Sequence, residues 1–242
     1  MKKIICVLSL FLVLASFAAA DVYVKAKQHT DAFSVMGQNQ PAKDEIIEQW
    51  IGDDQFAYIS PEISSILDLK KNIAYLIMPS EKTYVETPLP LDLTKILPPE
   101  MAQMMAGMMK MTVSVTPNGQ TKTIGQWKCS GYDVAMQMMM MPMKISVWAS
   151  TDVPIDMEKY AKMQSNILKV QLRLDDAAVK EMMKIKGYWI ATETTAEMMG
   201  AKMRITLDVV EITKKTPDPS VYSVPAGFTK KASLTMQDFQ RR

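Results

Sequence analysis

Five methionines, Met101, Met104, Met105, Met108 and Met109, fall at i, i+3, i+4, i+7 and i+8, the spacing that forms one stripe of an α-helix. Six more, Met136, Met138, Met139, Met140, Met141 and Met143, crowd into a second cluster. A thioether offers two kinds of chemistry. It is a soft donor that suits Cu(I). It is also an unbranched, polarizable apolar group that fills irregular space and accepts variable apolar partners. The chain holds 23 methionines against 6 phenylalanines and 4 tryptophans, an unusual surplus. No histidine lies near either cluster, and Cys129 is some way from both in sequence. The ligand-binding residues read here are therefore Met101, Met104, Met105, Met108 and Met109, taking a hydrophobic ligand such as a lipid or an acylated protein. A methionine-rich Cu(I)-binding protein is the alternative, as is a non-catalytic structural or interaction module, and no metal site is assigned.

Catalytic material is sparse. His29 is the only histidine and sits among Gln28, Thr30 and Asp31, with no orienting partner indicated. No P-loop, dinucleotide fingerprint, nucleophile elbow or HExxH signature is present. Asp53-Asp54 reads as a turn and Asp175-Asp176 as a helix start. The chain is not expected to be an enzyme or to carry a cofactor.

The first residues carry an address. Lys2 and Lys3 precede an apolar run from Ile4 to Phe17, and Ala18-Ala19-Ala20 supplies the small residues of a cleavage site. The run is shorter than the roughly 20 residues a membrane-spanning helix needs. Residues 1–20 are therefore expected to be a signal peptide, leaving a single domain over 21–242 in the periplasm or secreted, with no stable membrane anchor. Of the 28 basic residues Lys2 and Lys3 leave with the leader, so basic and acidic groups balance at 26 each. A neutral mature chain gives no electrostatic basis for nucleic-acid binding. Only Cys129 survives cleavage, which excludes an internal disulfide and favours a buried structural thiol.

These residues need elements to position them. Val22, Val24 and Ala26 alternate with polar neighbours, and short runs over 45–51, 55–59, 64–69, 72–78 and 82–86 read as an antiparallel meander. Met101 to Lys110 reads as a helix, and Asn118-Gly119 as a hairpin turn. The run from Tyr132 to Met141 reads as a strand with methionines on both faces, continuing through Met143, Ile145 and Val147. Two helices follow, one capped by Asp156 and one starting at Asp175 or Asp176 and stopped by Gly187. A hairpin turning at Met199-Gly200, with a bulge at Val209-Val210, ends the order.

Particular residues carry a resemblance: Glu48-Gln49-Trp50-Ile51, Ser65-Ile66-Leu67-Asp68 with Ala74-Tyr75, and Lys82-Thr83-Tyr84-Val85-Glu86. Thr123 to Cys129 with Tyr132, Trp148-Ala149 with Asp152, and Tyr222 to Phe228 complete it. In these the chain resembles an uncharacterised bacterial envelope family, catalogued only as a domain of unknown function. That family is similar in turn to the periplasmic lipoprotein-carrier (LolA-like) superfamily. The resemblance implies an α+β fold, a curved antiparallel sheet forming an open half-barrel with helices on or in its concave face, and acyl-chain binding inside it. It carries over no catalytic residue.

Overall fold

The computed structural model describes residues 20–35, 37–90, 96–97, 111–138, 141–172, 174–198 and 200–235. The leader assigned to residues 1–20 lies outside them except for Ala20, which is exposed. The chain opens with β1 (Asp21–Thr30) and a small hairpin of β2 (Phe33–Val35) and β3 (Gln38–Gln40). The meander follows as β4 (Lys43–Ile51), β5 (Gln55–Ile59), β6 (Ser64–Asp68), β7 (Ile73–Met78) and β8 (Thr83–Pro88). Longer strands come next: β9 (Met111–Ile124), β10 (Trp127–Met138) and β11 (Met141–Ser150). Helices α1 (Met157–Leu172) and α2 (Asp176–Met182) precede β12 (Tyr188–Met198), β13 (Ala201–Lys215) and β14 (Thr229–Lys231).

Twelve strands form one sheet in the order β14-β8-β7-β6-β5-β4-β1-β13-β12-β11-β10-β9, and β2 pairs only with β3. Every pairing in the large sheet is antiparallel except β14 with β8, which is parallel. The expected α+β half-barrel with helices in its concave face is thus overturned. The described chain is predominantly strand, a mixed twelve-stranded sheet with two helices. The physical reason lies largely in stretches without strong alternation. Thr116, Thr121, Lys122 and Thr123 have the polar look of a loop, yet they extend β9 along β10.

Asn118-Gly119 is not the hairpin turn expected of it. Asn118, Gly119 and Gln120 bulge out of β9 opposite the single residue Gly131. The Asn118 carboxamide lies over Gly131, where a Cβ would stand 2.5 Å from Oδ1. The turn itself is Gly125-Gln126, with Gly125 at positive φ between the paired Ile124 and Trp127. The bulge at Val209-Val210 is present: Lys25 pairs with Glu211 and Ala26 with Val209, leaving Val210 over and exposed.

Helix starts follow their caps. Asp156 Oδ1 accepts from the backbone N–H of Glu158 and Lys159, each at 3.1 Å, and Asp175 Oδ1 accepts from Ala178 N–H at 2.8 Å. Gly187 acts later than the helix stop read from the sequence. Helix α2 ends at Met182, while Gly187, at φ +101, turns the chain into β12 against the Ser150 backbone.

Burial is organised in three clusters. The largest joins Val24, Ile47, Phe56, Leu67 and Val85 to Tyr160, Met163 and Ile167 of α1. A second joins Val134, Met136, Ile145 and Val147 to Val179 and Met182 of α2. The third lies on the other face of the meander, where Ala57, Ile66 and Ile77 meet Tyr222, Val224 and Phe228. A fully buried side chain such as Phe56 contributes roughly 1.5–3 kcal/mol. Among the described residues no helix is long and apolar enough to cross a membrane.

Candidate functional site: the methionine end and a polar row

Met101, Met104, Met105, Met108 and Met109 lie outside the described residues, as do Met139 and Met140. Residue 110 is followed directly by β9, so the five-methionine segment leads into Met111 at one end of the sheet. There Met111 pairs with Met138, and Met138 with Met141.

The reading of 132–141 as one strand with methionines on both faces is corrected. Strand β10 ends at Met138 and β11 begins at Met141, so the run folds back on itself. Met136 pairs with Met143, Met143 with Ala196, and Ala196 with Met203. Directly opposed residues share a face, so Met136, Met143 and Met203 share one. Met136 is buried in the second cluster, Met143 packs at its margin and Met203 is half-buried. Their alternates Ala135, Gln137 and Lys144 are exposed. Nothing in four consecutive methionines marks a turn, which hid the hairpin. What this end offers is polarizable apolar surface.

A second feature was missed. Gln49 on β4 pairs with Tyr58 on β5, and Tyr58 with Ser65 on β6. The row continues into Val24 on one side and Leu76 on the other, both in the main core. Three adjacent strands therefore place a carboxamide, a phenol and a hydroxyl side by side on the core face, with Gln49 and Tyr58 half-buried and Ser65 buried. Tyr188, at the start of β12, donates to Gln49 Oε1 at 2.9 Å. Its ring meets Tyr160 of α1 edge-on, with centroids 5.5 Å apart. Gln164, one turn beyond Tyr160, is buried as well. Burial drives the Tyr188 phenol well above its usual range, and Tyr160 and Tyr58 add to this. Ser65 is 4 % exposed and its Oγ has no hydrogen-bond partner. The signal was available: Gln49 sits between Ile47 and Ile51 on the inward face of β4.

His29 has partners the sequence did not indicate. Its Nδ1 lies 2.7 Å from Asp44 Oδ1 across the β1–β4 ladder, and its Nε2 lies 3.2 Å from Asp31 Oδ1. Asp31 also faces Arg204, which pairs with Glu193 at 2.8 Å. These groups are solvent-exposed and form a chain of charges rather than a catalytic pocket. Cys129 is fully buried, its Sγ directed at the Trp127 carbonyl, and burial raises its pKa. Among the described residues no group of three or more His, Cys, Asp or Glu is placed to hold a metal ion.

Fold and site together define a predominantly antiparallel β-domain with a methionine-bearing end and an apolar interior crossed by one polar row. The chain belongs to the DUF4412 family, a domain of unknown function whose profile spans residues 47–228. No curated protein matches it.

Proposed function

We propose that this is an exported, non-catalytic envelope protein that binds an apolar ligand: an acyl chain, a lipid or the lipid of an acylated protein. The observation that carries the reading is the convergence of methionines at one end of the sheet. Met136, Met143 and Met203 occupy one face there. The segment bearing Met101, Met104, Met105, Met108 and Met109 runs directly into the same end. Such a surface binds by removing apolar area from water, at roughly 25 cal/mol per Å², with few polar groups required. Methionine suits an occupant of variable shape. The leader-like residues 1–20 and the resemblance to the lipoprotein-carrier superfamily support a periplasmic or secreted setting.

The test has two arms. Protein recovered gently from its native envelope should carry an extractable lipid mass in native mass spectrometry. Joint substitution Met104→Gln and Met108→Gln should weaken binding of a fluorescent acyl probe by at least about tenfold. Recovery without any adduct, together with no probe binding by delipidated protein, would end the reading. Stoichiometric Cu(I) uptake under reducing conditions would favour the soft-metal alternative instead.

A further inference from the structure

The chain leaves the large sheet after β1 and returns to it as β4, and β2 and β3 between them pair only with each other. One side chain touches both ends of that excursion. His29 Nδ1 lies 2.7 Å from Asp44 Oδ1 at the start of β4, and Nε2 lies 3.2 Å from Asp31 Oδ1, just before β2. A neutral imidazole carries one N–H and donates to one carboxylate, whereas the imidazolium carries two. A carboxylate on each ring nitrogen is therefore an arrangement made for the charged ring.

We propose that His29 is a proton-operated latch on the β2–β3 hairpin: the protonated ring ties Asp31 to Asp44 across the hairpin's base, and loss of the proton to solvent frees the Asp31 side. The proton leaves Nε2, because the Nδ1 contact to Asp44 is the shorter one. Nε2 then turns a lone pair towards Asp31 Oδ1, and the two repel. Asp31 keeps its tether to β13, where its backbone N–H donates to the Arg204 carbonyl at 2.9 Å and its carboxylate faces the guanidinium at 3.7 Å. The Asp44 hydrogen bond does most to help the ring hold its proton above the ordinary range, with Asp31 adding to it. The other charged groups on this face are Lys27 on β1, Arg204 and Asp208 on β13, and Glu193 on β12. Residues 33–40 carry no charge of their own, so a proton acts on the hairpin only through its base. At the tip nothing lies within 4 Å of the Cβ position of Gly37, which leaves room to swing. Exposed ion pairs are weak and screened by salt, which suits the movement of one hairpin rather than a change of fold. Strand β2 lies against β13, the strand that carries Met203, so the latch works beside the methionine end whatever that end binds.

The experiment is 15N relaxation on mature protein without ligand, at low salt, over pH values spanning the His29 midpoint. Amide order parameters of Ser34, Val35, Gln38 and Asn39 should stand near about 0.85 below the midpoint and fall towards about 0.6 above it. In His29→Gln they should not change with pH. Asp31→Asn separates a latch from mere proximity to the ring. Asp44 keeps the imidazole midpoint raised in that variant, but a carboxamide meets the ring nitrogen in either protonation state, so the hairpin should stop following it. Equal order on both sides of the midpoint in the wild type, or either variant tracking pH as the wild type does, would overturn the latch. Because no ligand is added, that failure would leave the apolar-ligand reading untouched.

Discussion

The Tyr188 hydroxyl reaches Gln49 Oε1 at 2.9 Å although β1 and β13 lie between their strands in the sheet. On a flat sheet three strand spacings amount to roughly 14 Å. The contact forms because Tyr188 stands beyond the ladder between β12 and β13, which ends on this side at Ala191 paired with Asp208. At that point β12 parts from β13, and Tyr188 closes back over the core. Tyr188→Phe keeps the ring against Tyr160 but strands the Gln49 carboxamide. It should lower unfolding free energy by about 1–3 kcal/mol, measured by urea denaturation. No change in midpoint would mean that the bond contributes nothing net.

The charge node at His29 makes a prediction about pH. Its hydrogen bond to the Asp44 carboxylate is the largest influence and raises the imidazole pKa, with Asp31 adding to it and partial desolvation opposing. A raised folded-state pKa means that the protonated form is favoured by folding. That stabilisation is complete below the unfolded value of about 6.5 and disappears as pH climbs through the folded value. Because the chain has one histidine, a single imidazole resonance reports it. NMR titration should place its midpoint above 6.5, and Asp44→Asn should bring it back down. A wild-type midpoint at or below 6.5 would show the pair absent in solution.

Cys129 should be silent in the native protein. It is fully buried and burial holds its thiol above the usual range, so the reactive thiolate is scarce and shielded. Iodoacetamide at pH 8 should leave it unmodified for as long as the protein is folded, with labelling appearing through the urea transition. Rapid labelling without denaturant would contradict the described packing.

Gly187 holds a conformation that other residues adopt at a cost. Its φ is +101, and an added Cβ would stand 2.5 Å from the Ser150 carbonyl carbon and oxygen. Backbone strain alone should make Gly187→Ala destabilising by about 1–3 kcal/mol, before the clash is counted. A thermal melt of the variant within a degree of wild type would refute the geometry.

What was legible in the sequence was local. Alternation around Val22, Val24 and Ala26 marks β1, and Asp156 and Asp175 announce their helices because an aspartate cap acts within three residues. The phase slip at Val209-Val210 marks a bulge that the ladder contains. What was hidden depends on partners far away. Asn118-Gly119 looks like a turn until Gly131 is found opposite it, and four methionines in a row conceal the pairing of Met138 with Met141. The polar row is invisible strand by strand, because Gln49, Tyr58 and Ser65 each pass as a single exception. Only the register assembles them. Of the candidate site, its methionines could be counted, but the face shared by Met136, Met143 and Met203 required the pairing of four strands.

The position of β1 has a consequence for how the molecule comes into being. It is hydrogen-bonded on one side to β4 and on the other to β13, with Asp21 opposite Lys215. The earliest strand to leave the ribosome is therefore completed by one of the last. Until residue 215 is made, the seam joining the two halves of the sheet has one side open, and the rate at which it closes is governed by contacts of very high sequence separation. The sheet of such a chain stays in two unjoined parts until most of its residues have been synthesised, although β1 can pair with β4 early.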